Sequence, residues 1–147
     1  MIDAVYNTKL LELAGNIGAV ARLDDPQATA KRHSKLCGST VTVDVSVGAD
    51  GAVVAYGQDV KACALGQASA AIVAAGIIGA TPQELRAARD EAYAMLKADG
   101  QPPEGRFADM RYLQPVKDYK ARHASTLLVF DAVVDALDQI DSQQSAA

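Results

Sequence analysis

At 147 residues the chain fits one domain, 1–147, and leaves little room for a second. Hydrophobic residues make up 50% of it, with no Trp and only two Phe, so a core must be built from Ala, Val, Leu and Ile. The formal net charge is −4 and no basic block stands out, which argues against a nucleic-acid partner, because such a partner needs clustered Lys and Arg.

The first residues, MIDAVYNTKLLELAG, carry acid before base and read as an amphipathic helix with Val5, Leu10, Leu11 and Leu13 on one face and Gly15 as a stop. They lack the basic start, apolar centre and cleavage site of a secretory signal. No apolar run reaches the ~18 residues that span a bilayer, so no membrane association is expected and a cytoplasmic, reducing compartment is the default. Residues 17–27 read as loop, with a turn at LDDPQ.

The stretch KRHSKL before Cys37 reads as a weak strand. VTVDVSV (41–47) alternates Val with polar residues, the period-two mark of a half-buried strand. GADG then turns the chain into a returning strand, AVVAYGQDV. After Cys63 the pattern changes. Residues 64–79 hold no charge, and Ala68, Ile72, Ala75 and Ile78 fit a buried helix. TPQELRAARDEAYAMLKADG (81–100) is a helix with Thr81 as N-cap, Pro82 at N1, Glu84 closing a capping box, and Gly100 as its end; its charges read as a solvated face. Residues 101–122 read as a long loop with one helical turn near 107–112. A last helix is expected over 125–140, with Leu128, Val129, Ala132, Val133 and Leu137 inward, followed by a disordered tail at 141–147. Together these predict an α+β fold: a small three-stranded antiparallel sheet with helices packed on one face.

Both cysteines sit at element boundaries. Cys37 precedes Gly38 at the turn into the hairpin, and Cys63 opens a helix. A helix N-terminus offers free N–H groups and partial positive charge, which favour a thiolate. The plainer reading is that each is a small buried hydrophobe. The two are too far apart in sequence to make a CxxC pair. Of the two histidines, His123 lies just ahead of the last helix, in a loop-to-helix position like that of Cys63, and His33 is a reserve. No Ser/His/Asp order, Walker loop or HExxH is present, so no enzyme activity is expected.

The segments LCGSTVTVDVSVGADGAV and VKACALGQASAAIVAAGIIG resemble the U-type iron–sulfur cluster scaffold family, the IscU, SufU and NifU N-terminal group. Cys37-Gly38 matches that family's Cys-Gly-Asp element, and Cys63 with Ala68-Ser69 matches its Gly-Cys-x-x-x-x-Ala-Ser element. The 101–122 insertion and LQPVKDYKARHASTLLVFDAV resemble the SufU-like branch. The family's aspartate falls on Ser39 and its third cysteine on Ser125, neither a good ligand for zinc or iron.

The resemblance implies a scaffold for iron–sulfur cluster assembly, or a sulfur acceptor, with Cys37 and Cys63 as thiolates and His123 as a replacement ligand. The cargo would be an iron–sulfur cluster or zinc. The implied partners are a cysteine desulfurase and cluster-accepting proteins, and a cluster shared by two subunits would supply missing ligands. One alternative is a divergent relative that keeps the fold and binds a partner without holding a cluster. Another is a thiol redox protein, weakened by the lack of a resolving Cys close in sequence.

Overall fold

The Val alternation of TVTVDVSV becomes the central strand of the sheet. In a computed structural model, which describes residues 8–15, 21–35 and 38–146, strands β1 (Ala28–His33), β2 (Thr40–Val47) and β3 (Val53–Lys61) pair antiparallel in the order β1-β2-β3. Helix α1 is Thr8–Gly15, α2 Ala64–Gly76, α3 Pro82–Lys97 and α4 His123–Ala146. The expected α+β layout with a three-stranded antiparallel sheet is what forms.

Register sets the two faces of the sheet. Ala28 lies opposite Val45 and Val45 opposite Tyr56; Ala30 lies opposite Val43 and Val43 opposite Gln58. This face is buried, with α4 along β1 and β2, and α2 against β3 and α4. Its polar atoms are satisfied: Tyr56 donates to Gln58 Oε1 at 2.8 Å, and Gln58 Nε2 donates to the Ala70 carbonyl at 3.4 Å. Phe130 of α4 meets Phe107 edge-on, with ring centres 6.3 Å apart.

The opposite face carries the row Thr29–Asp44–Gly57, and the chain at 21–23 crosses over it. A Cβ on Gly57 would lie 2.5 Å from the Ala21 carbonyl oxygen and 2.8 Å from the Leu23 nitrogen. Only glycine leaves room for that crossing. Gly57→Ala is therefore expected to cost about 2 kcal/mol by overpacking backbone that cannot swing aside. Gly15→Ala, with open space around it, should stay within about 0.5 kcal/mol of wild type. Urea melts of the two variants check this, and equal midpoints would contradict the crossing.

Asp44 is fully buried beneath this segment. It accepts from Arg22 Nε at 2.6 Å and Nη2 at 3.0 Å, from the Leu23 N–H at 3.0 Å, and from Thr29 Oγ1 at 2.6 Å. Burial pushes its carboxyl up, but the Arg22, Thr29 and Leu23 hydrogen bonds and the Arg22 charge together outweigh that and hold it below the usual aspartate value.

Several expectations need correction. The first strand runs Ala28–His33 rather than through KRHSKL, because Ala28 and Ala30 are the residues that reach the core and Ser34 already belongs to the turn. Leu10 and Ala14 bury α1, while Leu11 is exposed; Val5 lies outside the described residues. Helix α2 stops at Gly76, so Ile77 is buried and Ile78 faces outward, and Ala75 is also exposed.

Helix α3 has the expected capping box, with Thr81 Oγ1 accepting from the Glu84 N–H at 3.1 Å. It ends at Lys97, and Asp99, not Gly100, takes the left-handed conformation (φ 56°), which Asp tolerates better than most side chains. Its charges are partly docked rather than solvated: Arg86 bonds Asp138 and Arg89 bonds Asp131, both at 2.8 Å, on α4. Tyr93 also donates to Asp131, and burial, followed by that hydrogen bond, pushes its phenol up to about 12.

Residues 105–118 form a 3-10 stretch that buries Phe107, Met110, Leu113 and Val116, one residue in three. The tail expected to be disordered is helical through Ala146. There the exposed last turns are tied back by Gln143 Nε2, which donates to the Gln27 carbonyl at 3.2 Å.

Candidate functional site

Cys63 is the N-cap of α2, with extended backbone and no hydrogen bond from its side chain to the helix. The thiol is thus not spent on capping. It is half-buried, and its Sγ lies 3.0 Å from Ser125 Oγ in the first turn of α4. Ser125 itself is only 2% exposed.

Two small residues make this approach possible. A Cβ on Gly66 would sit 3.2 Å from the Ser125 carbonyl oxygen and 2.7 Å from Ala62 Cβ, so a larger residue there would push the helices apart. One turn on, Ser69 Oγ donates to the Thr126 carbonyl at 2.6 Å and locks α2 to the start of α4. Thr126 Oγ1 donates back to the Arg122 carbonyl at 3.0 Å, tightening that first turn.

The β1–β2 turn is closed by the Ser34 N–H donating to the Ser39 carbonyl and the Gly38 N–H donating to the Ser34 carbonyl, both at 2.8 Å. Ser39 is 2% exposed. Cys37 lies outside the described residues, so the expected closeness of Cys37 to Cys63 lies outside them too. His33 is exposed, with Nδ1 3.2 Å from Thr40 Oγ1 on the polar sheet face.

His123, expected as a replacement ligand, makes its contacts on the 3-10 stretch. His123 begins α4 and is 3% exposed, with Nε2 3.0 Å from both the Val116 and Lys117 carbonyl oxygens. Carbonyls only accept, so Nε2 carries the proton. Residues two apart on a helix point to nearly opposite sides. With Ser125 directed at Cys63, His123 is directed at the 3-10 stretch, which it fastens to α4.

Among the described residues, no three His, Cys, Asp or Glu side chains gather to hold a metal. The structure thus brings together Cys63 and the Ser125 position, and leaves His33 and His123 elsewhere. What reading the chain missed is the role of Gly66, whose one-turn spacing from Ala62 and Ser69–Ala70 is a close-packing signal. No helix among the described residues is long and apolar enough to cross a membrane.

No protein-family model matches the chain, and no curated protein matches it. Solved structures do. A nitrogen-fixing NifU-like protein (N-terminal) from Brucella abortus is 58% identical, with 97% of this chain and 98% of that one covered and a TM-score of 0.94. A protein described as an iron–sulfur cluster assembly scaffold for the SUF system, from the thermophile Fervidobacterium islandicum AW-1, shares the fold at 21% identity, with 92% and 98% covered and a TM-score of 0.83. With the three-stranded sheet, the cysteine opening α2 and the helix start packed against it, an identity of 58% over nearly the whole length places the chain in the U-type, NifU-like iron–sulfur cluster scaffold family.

Proposed function

We propose that this scaffold accepts sulfur at Cys63 and carries an iron–sulfur cluster as cargo between Cys63 and Cys37. The observation that supports the reading is the 3.0 Å contact between Cys63 Sγ and Ser125 Oγ. It keeps two of the family's ligand positions side by side at the starts of two helices, even though one of them has lost its sulfur.

The donor chemistry limits how firmly cargo is held. A neutral serine hydroxyl is a poor ligand for iron or zinc, which prefer thiolate and imidazole. Ser39 and Ser125 therefore leave two thiols, and His123 Nε2 is engaged by carbonyls. Such a site suits brief custody: sulfur arriving from a cysteine desulfurase, and a cluster passing to accepting proteins. A second subunit adding its own thiols would complete a bridging site.

Iron, zinc and acid-labile sulfide measured in wild type and Cys63→Ala, both purified without air, test the proposal. Wild type should carry sulfide with iron, and the variant should lose at least nine-tenths of both. Equal content in the two proteins would remove Cys63 from the site.

The serines at positions 39 and 125, where the family carries ligands, favour a second reading, in which the fold is kept for a partner surface and no cluster is held. Wild type free of metal and sulfide, yet binding a cysteine desulfurase, would select it.

A further inference from the structure

We propose that Ser125 preserves a sulfur atom carried on Cys63 by placing a hydroxyl where a thiol would expel it. The inference rests on the reading that Cys63 accepts sulfur, and it adds a role for the residue beside it.

The geometry is specific. Ser125 Oγ is 3.0 Å from Cys63 Sγ, and the surrounding contacts fix the backbone that carries it: Gly66 packs on the Ser125 carbonyl, and Ser69 holds the next carbonyl along. A sulfur in place of that oxygen would need to move only about 1 Å to reach the ~2.05 Å of an S–S bond.

The chemistry follows from that distance. The Cys63 thiolate attacks the outer sulfur of a persulfide donor, R–S–SH. A bond forms between the two sulfurs, the donor's S–S bond breaks, and R–S⁻ leaves with the electron pair. The product is Cys63–S–SH, which keeps the donor's proton. A thiolate at position 125 would then attack the Cys63 Sγ, close a disulfide with it and release HS⁻. The delivered sulfur would be lost as sulfide, and two thiols would be oxidised by the sulfur they received. The serine hydroxyl cannot complete this step, because it does not ionise readily and an S–O bond is a poor exchange for S–S. It can instead donate a hydrogen bond to Cys63 Sγ and leave the outer sulfur available.

The test uses full-length chains carrying Cys37→Ser, so that position 125 alone differs. Parent, Ser125→Ala and Ser125→Cys proteins are loaded with glutathione persulfide without air and with a chelator, then freed of excess donor. Intact mass, released sulfide and free thiols are followed over time, and thermal melts confirm that each protein is folded. Parent and Ser125→Ala should hold the added sulfur on Cys63. Ser125→Cys should release it as sulfide at least tenfold faster, with an intramolecular disulfide forming in step. If Ser125→Cys keeps its sulfur as long as the parent, or Ser125→Ala loses it as fast as Ser125→Cys, the protective role is overturned. If the parent takes up no sulfur, the acceptor reading of Cys63 falls, and the proposal with it.

Discussion

Ser125→Cys is expected to bind zinc at least tenfold more tightly than wild type under reducing conditions. The substitution puts a soft donor beside Cys63, where Oγ now lies 3.0 Å from Sγ, and thiolate is the ligand that zinc favours. Two sulfurs bound to one zinc at ~2.3 Å each stand a little under 4 Å apart, which a small rotation of the new side chain provides. Competition against a chromophoric chelator measures the change. His123→Ala supplies the contrast. Its Nε2 serves the Val116 and Lys117 carbonyls, so this variant should leave zinc affinity unchanged while losing about 2 kcal/mol of stability through unmet acceptors and a cavity. Zinc affinity equal in wild type and Ser125→Cys would mean that position 125 is not part of a ligand set. Affinity abolished by His123→Ala would mean that the start of α4 rearranges to deliver the imidazole.

Asp44→Ala should lower stability by about 3 kcal/mol, or roughly 10 °C in melting temperature for a chain of this size. The carboxylate is fully buried and answers four donors from Arg22, Leu23 and Thr29. Without it, the Leu23 N–H and Thr29 hydroxyl lose their acceptor, and the segment crossing Gly57 loses its anchor. The pH dependence has a definite sign. Asp44 is held below its ordinary value, so the unfolded chain takes up its proton first as the solution is acidified. The contribution is therefore complete above the unfolded value of ~3.9 and is lost as pH falls through the lower folded value. Melts of both proteins at neutral pH and near pH 3 should show the gap narrowing in acid. A gap that widens there would refute the assignment.

The parts of the fold that were legible had a period or a cap to read. Val41, Val43 and Val45 alternate cleanly, and the Thr81, Pro82 and Glu84 cap marked the start of α3 to the residue. The stretch 105–118 reads as loop with one helical turn because its buried residues recur every third position, matching neither the strand period of two nor the helical 3.6. Asp44 gave no warning, since an acid between valines reads as the outward side of an alternation, and its partner Arg22 comes from a loop. The end of α4 does not show in the sequence because Ile140 is its last large apolar residue, and no bulky side chain beyond it asks to be buried. At the site, the resemblance supplied the Cys63 and Ser125 positions. It did not supply the turn of the helix, which sends His123 away from them.

Helix α4 is joined to β1 across more than a hundred residues: Arg32 Nη2 bonds Asp135 at 2.9 Å, and Gln139 Nε2 bonds the Thr29 carbonyl at 2.9 Å. On a ribosome adding ~5–20 residues per second, β1 and β2 emerge roughly 5 to 20 seconds before the helix that covers them. Throughout that interval Ala28, Ala30, Val41, Val43 and Val45 form a bare apolar ridge on a nascent hairpin. Docking of α4 closes a loop of more than a hundred residues, so the covering of the sheet is a late event in folding. The tip that holds Cys63 against Ser125 is completed by that same docking, so the chain acquires its candidate sulfur site only when the sheet is sealed.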